Sequence, residues 1–491
     1  MSNVIWAGRA ACTLLVSFCL TAHPANAQST TAADKIPITT PSQEARQLYL
    51  QGRDLAEKLR ATDAHKYYEQ AVAKDGNFAL AYIGLANTSA TTKEFIEMAT
   101  RAASLAGYVS EGERHIVLAV EAGLKGEPAS VLSHYTTLVQ LFPNDERAQN
   151  LLGNAYFGRQ DYESAVRSFV KATTINPSFS QPYNQLGYAY RFLEKFDEAE
   201  AAFKKYTELI PGDPNPYDSY AELLMKRGRF DESIKMYEKA LSFDRNFVAS
   251  YIGIGNDLLF MNKPEEARAA FAKIDAVARN TGERRLAHFW TAASYVHEGA
   301  PDKALAELKA NYALAEAEHD GASMSADLNQ MGDVLREAGR LEDALSKYAE
   351  AVSVIEKADV PEPFREATRR NYLFEQARVA VETRDLATAT SKAAEYATQV
   401  AVRKAPFEVR QQHELAGLIA LAEKHASAAV QEFQQANQQD PRIVFLTGVA
   451  LRDAGDAQRA AAMTSKAANF NALNFNYAYV RGKARKSAGT F

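Results

Sequence analysis

A few short stretches of the chain carry residue types whose spacing could do chemistry. "GIGNDL" (Gly253 to Leu258) opens like a dinucleotide-binding loop. It lacks the third glycine of that loop, and it lies in a helical pattern with no strand before it. "HEL" at His413 starts like a zinc-protease helix, but Gly417 stands where the second histidine belongs. His288 and His297 are nine residues apart, which is not a ligand spacing. No serine sits in a G-x-S-x-G turn, and no phosphate-binding loop occurs. The acidic runs "FDEAE" (Phe196 to Glu200) and "FDESI" (Phe230 to Ile234) fall where helices begin, and carboxylates there favour the helix N-terminus. These residues point to a protein that is not an enzyme and needs neither cofactor nor metal.

Length and composition set the frame. A chain of 491 residues exceeds what one compact core organises, so several domains or an elongated array is expected. Residues 1–27 combine one charge, Arg9, with the apolar run "AACTLLVSFCL" (Ala10 to Leu20) and small residues at Ala25 and Ala27. That is the pattern of a secretory signal peptide, and the run is well short of the ~20 residues a membrane span needs. Cleavage after Ala27 would remove both cysteines, Cys12 and Cys19, so the mature chain could form neither a disulfide nor a thiolate site. It would also move the net charge from −5 to −6 through loss of Arg9, an acidity that argues against nucleic acid as partner. A periplasmic or secreted location follows as the expectation. Residues 28–44 are polar and dotted with proline, which predicts a flexible leader.

The helical pattern repeats. At a shift of 34, Leu152-Gly153, Leu186-Gly187, Tyr220-Ala221 and Ile254-Gly255 coincide. Ala165, Ala199, Ser233 and Ala267 form a further column, as do Phe169, Phe203, Tyr237 and Phe271. Large apolar residues three and four apart mark two helices per unit, and Pro177 and Pro211 close two of the units. This pattern resembles the tetratricopeptide repeat, a 34-residue helix–turn–helix unit. The resemblance implies an all-α fold: a right-handed α-solenoid of about twelve units between residues 45 and 474. We divide it into an N-terminal array (45–281), a more divergent C-terminal array (282–474), and a capping helix with basic tail (475–491). Two stretches break the period, 274–324 and 353–369, and predict either hinges or longer helices.

The resemblance also implies where a ligand would go. In this fold the first helix of each unit lines a concave groove, and the groove-facing positions here include Asn150, Asn154, Asn184, Tyr188, Arg191, Asp218, Glu222 and Asn256. An asparagine amide both donates and accepts, so a row of them could pair with the backbone of an extended peptide whatever its sequence. The family's carboxylate-clamp pattern, which needs lysines and an arginine at fixed groove positions, is not reproduced. The expected function is therefore an exported scaffold that binds proteins or extended peptides and assists assembly in the cell envelope. An accessory role in polysaccharide handling or export is the alternative, with Tyr188, Phe157 and Phe260 available to stack on sugar rings. The tail from Ala457 to Phe491 has six basic residues and no acidic one, so membrane contact would run through it.

Overall fold

A computed structural model of the chain describes residues 35–488. The proposed signal peptide lies outside the described residues. Among these, the chain is helical with no strand, and its helices pair in order. The first units are α1 (Gln43–Glu57) with α2 (Ala61–Lys74), α3 (Ala79–Thr88) with α4 (Thr92–Ser104), and α5 (Glu111–Leu124) with α6 (Pro128–Leu141). The regular middle follows: α7 (Glu146–Gly158) with α8 (Tyr162–Ile175), α9 (Gln181–Phe192) with α10 (Phe196–Leu209), α11 (Pro214–Lys226) with α12 (Phe230–Phe243), and α13 (Val248–Phe260) with α14 (Pro264–Val277). Next come α15 (Thr281–His297) with α16 (Pro301–Ala317), α17 (Gly321–Glu337) with α18 (Leu341–Lys357), and α19 (Glu362–Glu382) with α20 (Leu386–Arg403). Two last pairs, α21 (Pro406–Ala422) with α22 (Ala426–Gln435) and α23 (Pro441–Asp453) with α24 (Ala457–Ala468), bring the count to twelve units, and α25 (Tyr477–Ala488) follows alone. The off-period stretches are longer helices: α15 to α18 each run 17 residues and α19 runs 21.

Local sequence sets each start and stop. Asp145 caps α7 by accepting from the Arg147 and Ala148 amides, and Ser110 with Glu113 forms a reciprocal capping box on α5. Within most units the turn passes through one left-handed residue, such as Gln160 (φ 63°) or Gly228 (φ 74°). The next amide then bonds back into the helix end, as Asp161 N–H does to the Tyr156 carbonyl at 3.0 Å. The repeat columns explain the packing between paired helices. A Cβ on Gly187 would lie 2.4 Å from the Phe203 ring, and one on Gly255 would lie 2.1 Å from the Phe271 ring. The glycine column is thus the space that the aromatic column fills. Tyr68 shows that the ring serves two units, because it presses on Gly52 of its own and Gly84 of the next. Phe169, Phe203 and Phe271 are fully buried, each contributing roughly 2 kcal/mol.

The first helices of successive units touch one another, which places them on the inside of the curve. That curve closes on itself. The turn inside unit 1 meets the loop opening unit 8, where Thr62 donates to Glu283 at 3.0 Å. Unit 2 meets the start of unit 9, with the Thr92 amide donating to Asp320 at 2.7 Å. Unit 4 meets the loop before unit 12 through Gln160 and Asn437 (3.2 Å), and unit 5 meets the end of unit 12 through Glu194 and Lys466 (2.7 Å). About seven units therefore make one superhelical turn, and the second turn rests directly on the first. The seam has an apolar centre, where Ile96, Ala99 and Leu124 pack against Ile355 and Val360.

Both ends differ from expectation. The leader is not loose from Lys35 onward. Ile36 N–H donates to Asp145 (2.9 Å), Thr39 N–H to Glu113 (2.7 Å) and the Thr40 hydroxyl to Asp75 (2.6 Å), with Ile38 joining the apolar core of the first units. Its backbone and side chains find fixed carboxylate partners at helix ends, so these residues are ordered. The C-terminal helix does more than cover the last unit, since it also packs against α15 of unit 8.

Candidate functional site: the concave face

The eight groove residues lie on the first helices α7, α9, α11 and α13, so the structure does bring them onto one face. It does not leave them open. Seven are buried, and only Asn154 is half-buried. From unit 4 to unit 7, groove side chains of one unit bond to those of the next. Asn150 donates to Gln181 at 2.8 Å. The Tyr188 hydroxyl donates to one oxygen of Glu222 (2.8 Å) and Arg191 to the other (3.1 Å), while the Arg191 guanidinium lies 4.8 Å from the Tyr188 ring centre. Ser250 donates to Asp218 at 2.7 Å. The correction to the open-groove reading has a physical cause: tight winding brings the inward-facing positions of neighbouring units within hydrogen-bonding reach.

Burial shapes the electrostatics. It pushes the Asp218 carboxyl up to about 7, with Glu222 adding to the rise and Ser250 opposing it. The Tyr188 hydroxyl is pushed well above its ordinary value, again by burial first and then by Glu222. Two asparagines retain unused capacity, since neither the Asn150 nor the Asn184 side-chain oxygen meets a donor. Of the three aromatics offered for sugar stacking, Tyr188 and Phe260 are buried, and Phe157 packs edge-on to Tyr162 and Phe192.

Beyond unit 8 the inner face becomes a ladder of buried ions. Arg336 pairs with Glu337 (2.8 Å) and approaches Glu375 (3.9 Å), and Arg378 pairs with Glu375 (3.0 Å) and approaches Glu414 (3.7 Å). Arg370 pairs with Glu408 at 2.9 Å. Burial raises the Glu375 and Glu414 carboxyls, whereas Arg336 and Lys483 overcome burial at Glu337 and hold it down at about 2. The sequence reading missed these residues. A signal existed, because Arg336 stands four residues after Gly332 just as Arg191 stands four after Gly187.

The last helix enters this face. From Phe470, which covers the Lys226 ammonium at 4.5 Å, the chain turns inward and α25 packs against α15, α23 and α24. The Tyr477 hydroxyl donates to Asn256 (3.0 Å), and Gln330 donates to the Tyr479 hydroxyl (2.8 Å). Arg481 is 1% exposed; its guanidinium sits 4.2 Å from the Phe260 ring centre and donates to Asn471. Lys483 pairs with Glu337 at 2.8 Å. The expected basic tail is therefore split, with Arg481 buried and Arg485 and Lys486 exposed. Among the described residues no three His, Cys, Asp or Glu side chains gather as a metal site, and no helix is long and apolar enough to cross a membrane.

Family models agree with the repeat. A model described as TPR repeat matches residues 153–191, and models described as tetratricopeptide repeat match 180–213, 215–247 and 252–320. No curated protein matches the chain. Solved structures that it resembles include a tetratricopeptide repeat protein from Parabacteroides merdae ATCC 43184, at 17% identity over 59% of this chain and 100% of that one (TM-score 0.36). MamA matches at 22% identity over 34% of this chain and 93% of its own (TM-score 0.28). A thermophilic TPR protein in Thermus thermophilus matches at 21% identity over 44% of this chain and 99% of its own (TM-score 0.29). The family models place tetratricopeptide repeats within residues 153–320, and the same helix pairing, with recurring glycine–aromatic packing, extends over twelve units of the described chain.

Proposed function

We propose that this protein is a non-catalytic scaffold that holds a protein or peptide segment on its concave face, and that it works outside the cytoplasm after export. One observation carries the binding reading: the face already receives a peptide segment, since Asn256 accepts from Tyr477 and Gln330 donates to Tyr479. Side chains that hold one segment by amide and aromatic contacts have the chemistry to hold another. The pattern of residues 1–27 supports export, and an envelope role is the matching workplace. Purification of the chain from its host, with an Asn154→Ala/Asn184→Ala variant alongside, tests the scaffold. A protein captured by the wild type and lost by the variant, with helicity unchanged by circular dichroism, is the expected result. Equal capture by both would move the contact off units 4 and 5 of this face. N-terminal sequencing of the secreted or periplasmic chain should begin at Gln28, and recovery of an uncleaved cytoplasmic chain would refute export.

A further inference from the structure

The C-terminal segment reaches much further than a cap requires. Covering the last unit needs contact with α23 and α24 only, yet residues 475–483 also touch units 8 and 7, four and five units back. Phe475 lies 4.9 Å from Phe289 of unit 8, and Tyr477 lies 4.8 Å from Phe260 of unit 7, both between ring centres. Polar pegs surround this apolar floor: Asn256 from unit 7, Gln330 and Glu337 from unit 9. The charges are complementary, because the segment from Ala457 onward has no acidic residue while Glu337 faces Lys483. The half-buried imidazole of His297 stands beside Tyr477, 6.0 Å between ring centres. Burial, together with Arg481 and Arg485, holds that imidazole neutral. α25 is not a member of any helix pair, and its far end is exposed, so it can leave without unwinding a repeat.

We propose that the inner face of units 7 to 9 is a docking seat for a helical peptide carrying aromatic residues two apart and an arginine four residues after the first. The chain's own Tyr477, Tyr479 and Arg481 are its resident, displaceable occupants. This rests on the scaffold reading and specifies its ligand. The aromatic rings fill the floor formed by Phe260, Phe289 and Trp290, their hydroxyls meet Asn256 and Gln330, and the guanidinium covers the Phe260 ring. A partner segment of that chemistry competes with the tail, so tail release sets its apparent affinity.

The test uses the full chain and a fluorescein-labelled synthetic peptide of residues 470–488. Wild type, with its seat filled, should bind the peptide at least tenfold more weakly than a Tyr477→Ala/Arg481→Ala variant whose own tail is loosened. The same peptide carrying both alanines should fail to bind that variant. Equal binding by wild type and variant, or equal binding of both peptides, would overturn the seat. Hydrogen exchange on the wild type gives an independent reading should the variant misfold. Amides of residues 477–488 should exchange at least tenfold faster than those of 441–468, whereas exchange in step with α23 and α24 would overturn displacement. Peptide docking without host-protein capture would sink the scaffold reading alone. Capture lost in the Asn154/Asn184 variant without peptide docking would sink the seat alone.

Discussion

Asp257 shows what a single inward carboxyl can do. Neither of its oxygens finds a well-placed donor, and the neighbouring Ser233 hydroxyl donates instead to the Ala221 carbonyl at 2.8 Å. Burial pushes the carboxyl up to about 8, against about 3.9 in an unfolded chain. Between those values the unfolded state binds fewer protons, so stability falls as pH rises from about 4 to 8 and levels off above. Asp257→Asn should therefore stabilise the fold at pH 8 by on the order of a few kcal/mol. Its melting temperature should exceed that of the wild type there, and the gain should vanish near pH 4. An equal gain at both pH values would assign the effect to packing. Much at this scale was open to sequence reasoning. The positions of Asn150, Asn184 and Asp218 on one face follow from a 34-residue period. Their burial does not, because it depends on how closely successive units wind.

At the scale of the element, the repeat columns were almost wholly readable. Gly153, Gly187 and Gly255 with Phe169, Phe203 and Phe271 recur at fixed offsets because each ring needs the space its glycine leaves. Gly187→Ala should accordingly cost about 1–3 kcal/mol, since the added carbon meets a closely packed ring. Gly212→Ala, where nothing lies within 4 Å, is the control expected to melt with the wild type, and equal loss in both would argue against the ring contact. The leader and the last helix were read less well. Ile36, Thr39 and Thr40 belong to no periodic pattern, and their anchors Asp145, Glu113 and Asp75 are distant in sequence. The run "FNYAYVRGKAR" likewise announces aromatic and basic character, but not a seat on units 7 to 9.

For the whole molecule, the seam decides the shape. Ile96 from unit 2 is buried against Ile355 and Val360 of the overlying turn. Ile96→Lys places a charge in that contact, which the interior does not tolerate. The spiral should then open: small-angle scattering should show a larger radius of gyration while circular dichroism keeps the helical signal. An unchanged radius would mean the polar contacts along the seam suffice. Sequence could not foretell this closure, because it comes from a small rotation per unit summed over seven of them.

Closure also changes how such an array can fail or vary. An open solenoid is a string of neighbours, so it can fray from either end and tolerate gain or loss of a unit. Here Thr62 and Glu283, or Glu194 and Lys466, staple positions more than two hundred residues apart. The string becomes a sheet rolled into a tube, with bonds along two directions. Melting should then be all-or-none rather than stepwise, and folding should be slowed by the long loops that must close first. Removing one repeat from the middle would put every later staple out of step with its mate, so the number of repeats is itself a constrained property of this protein.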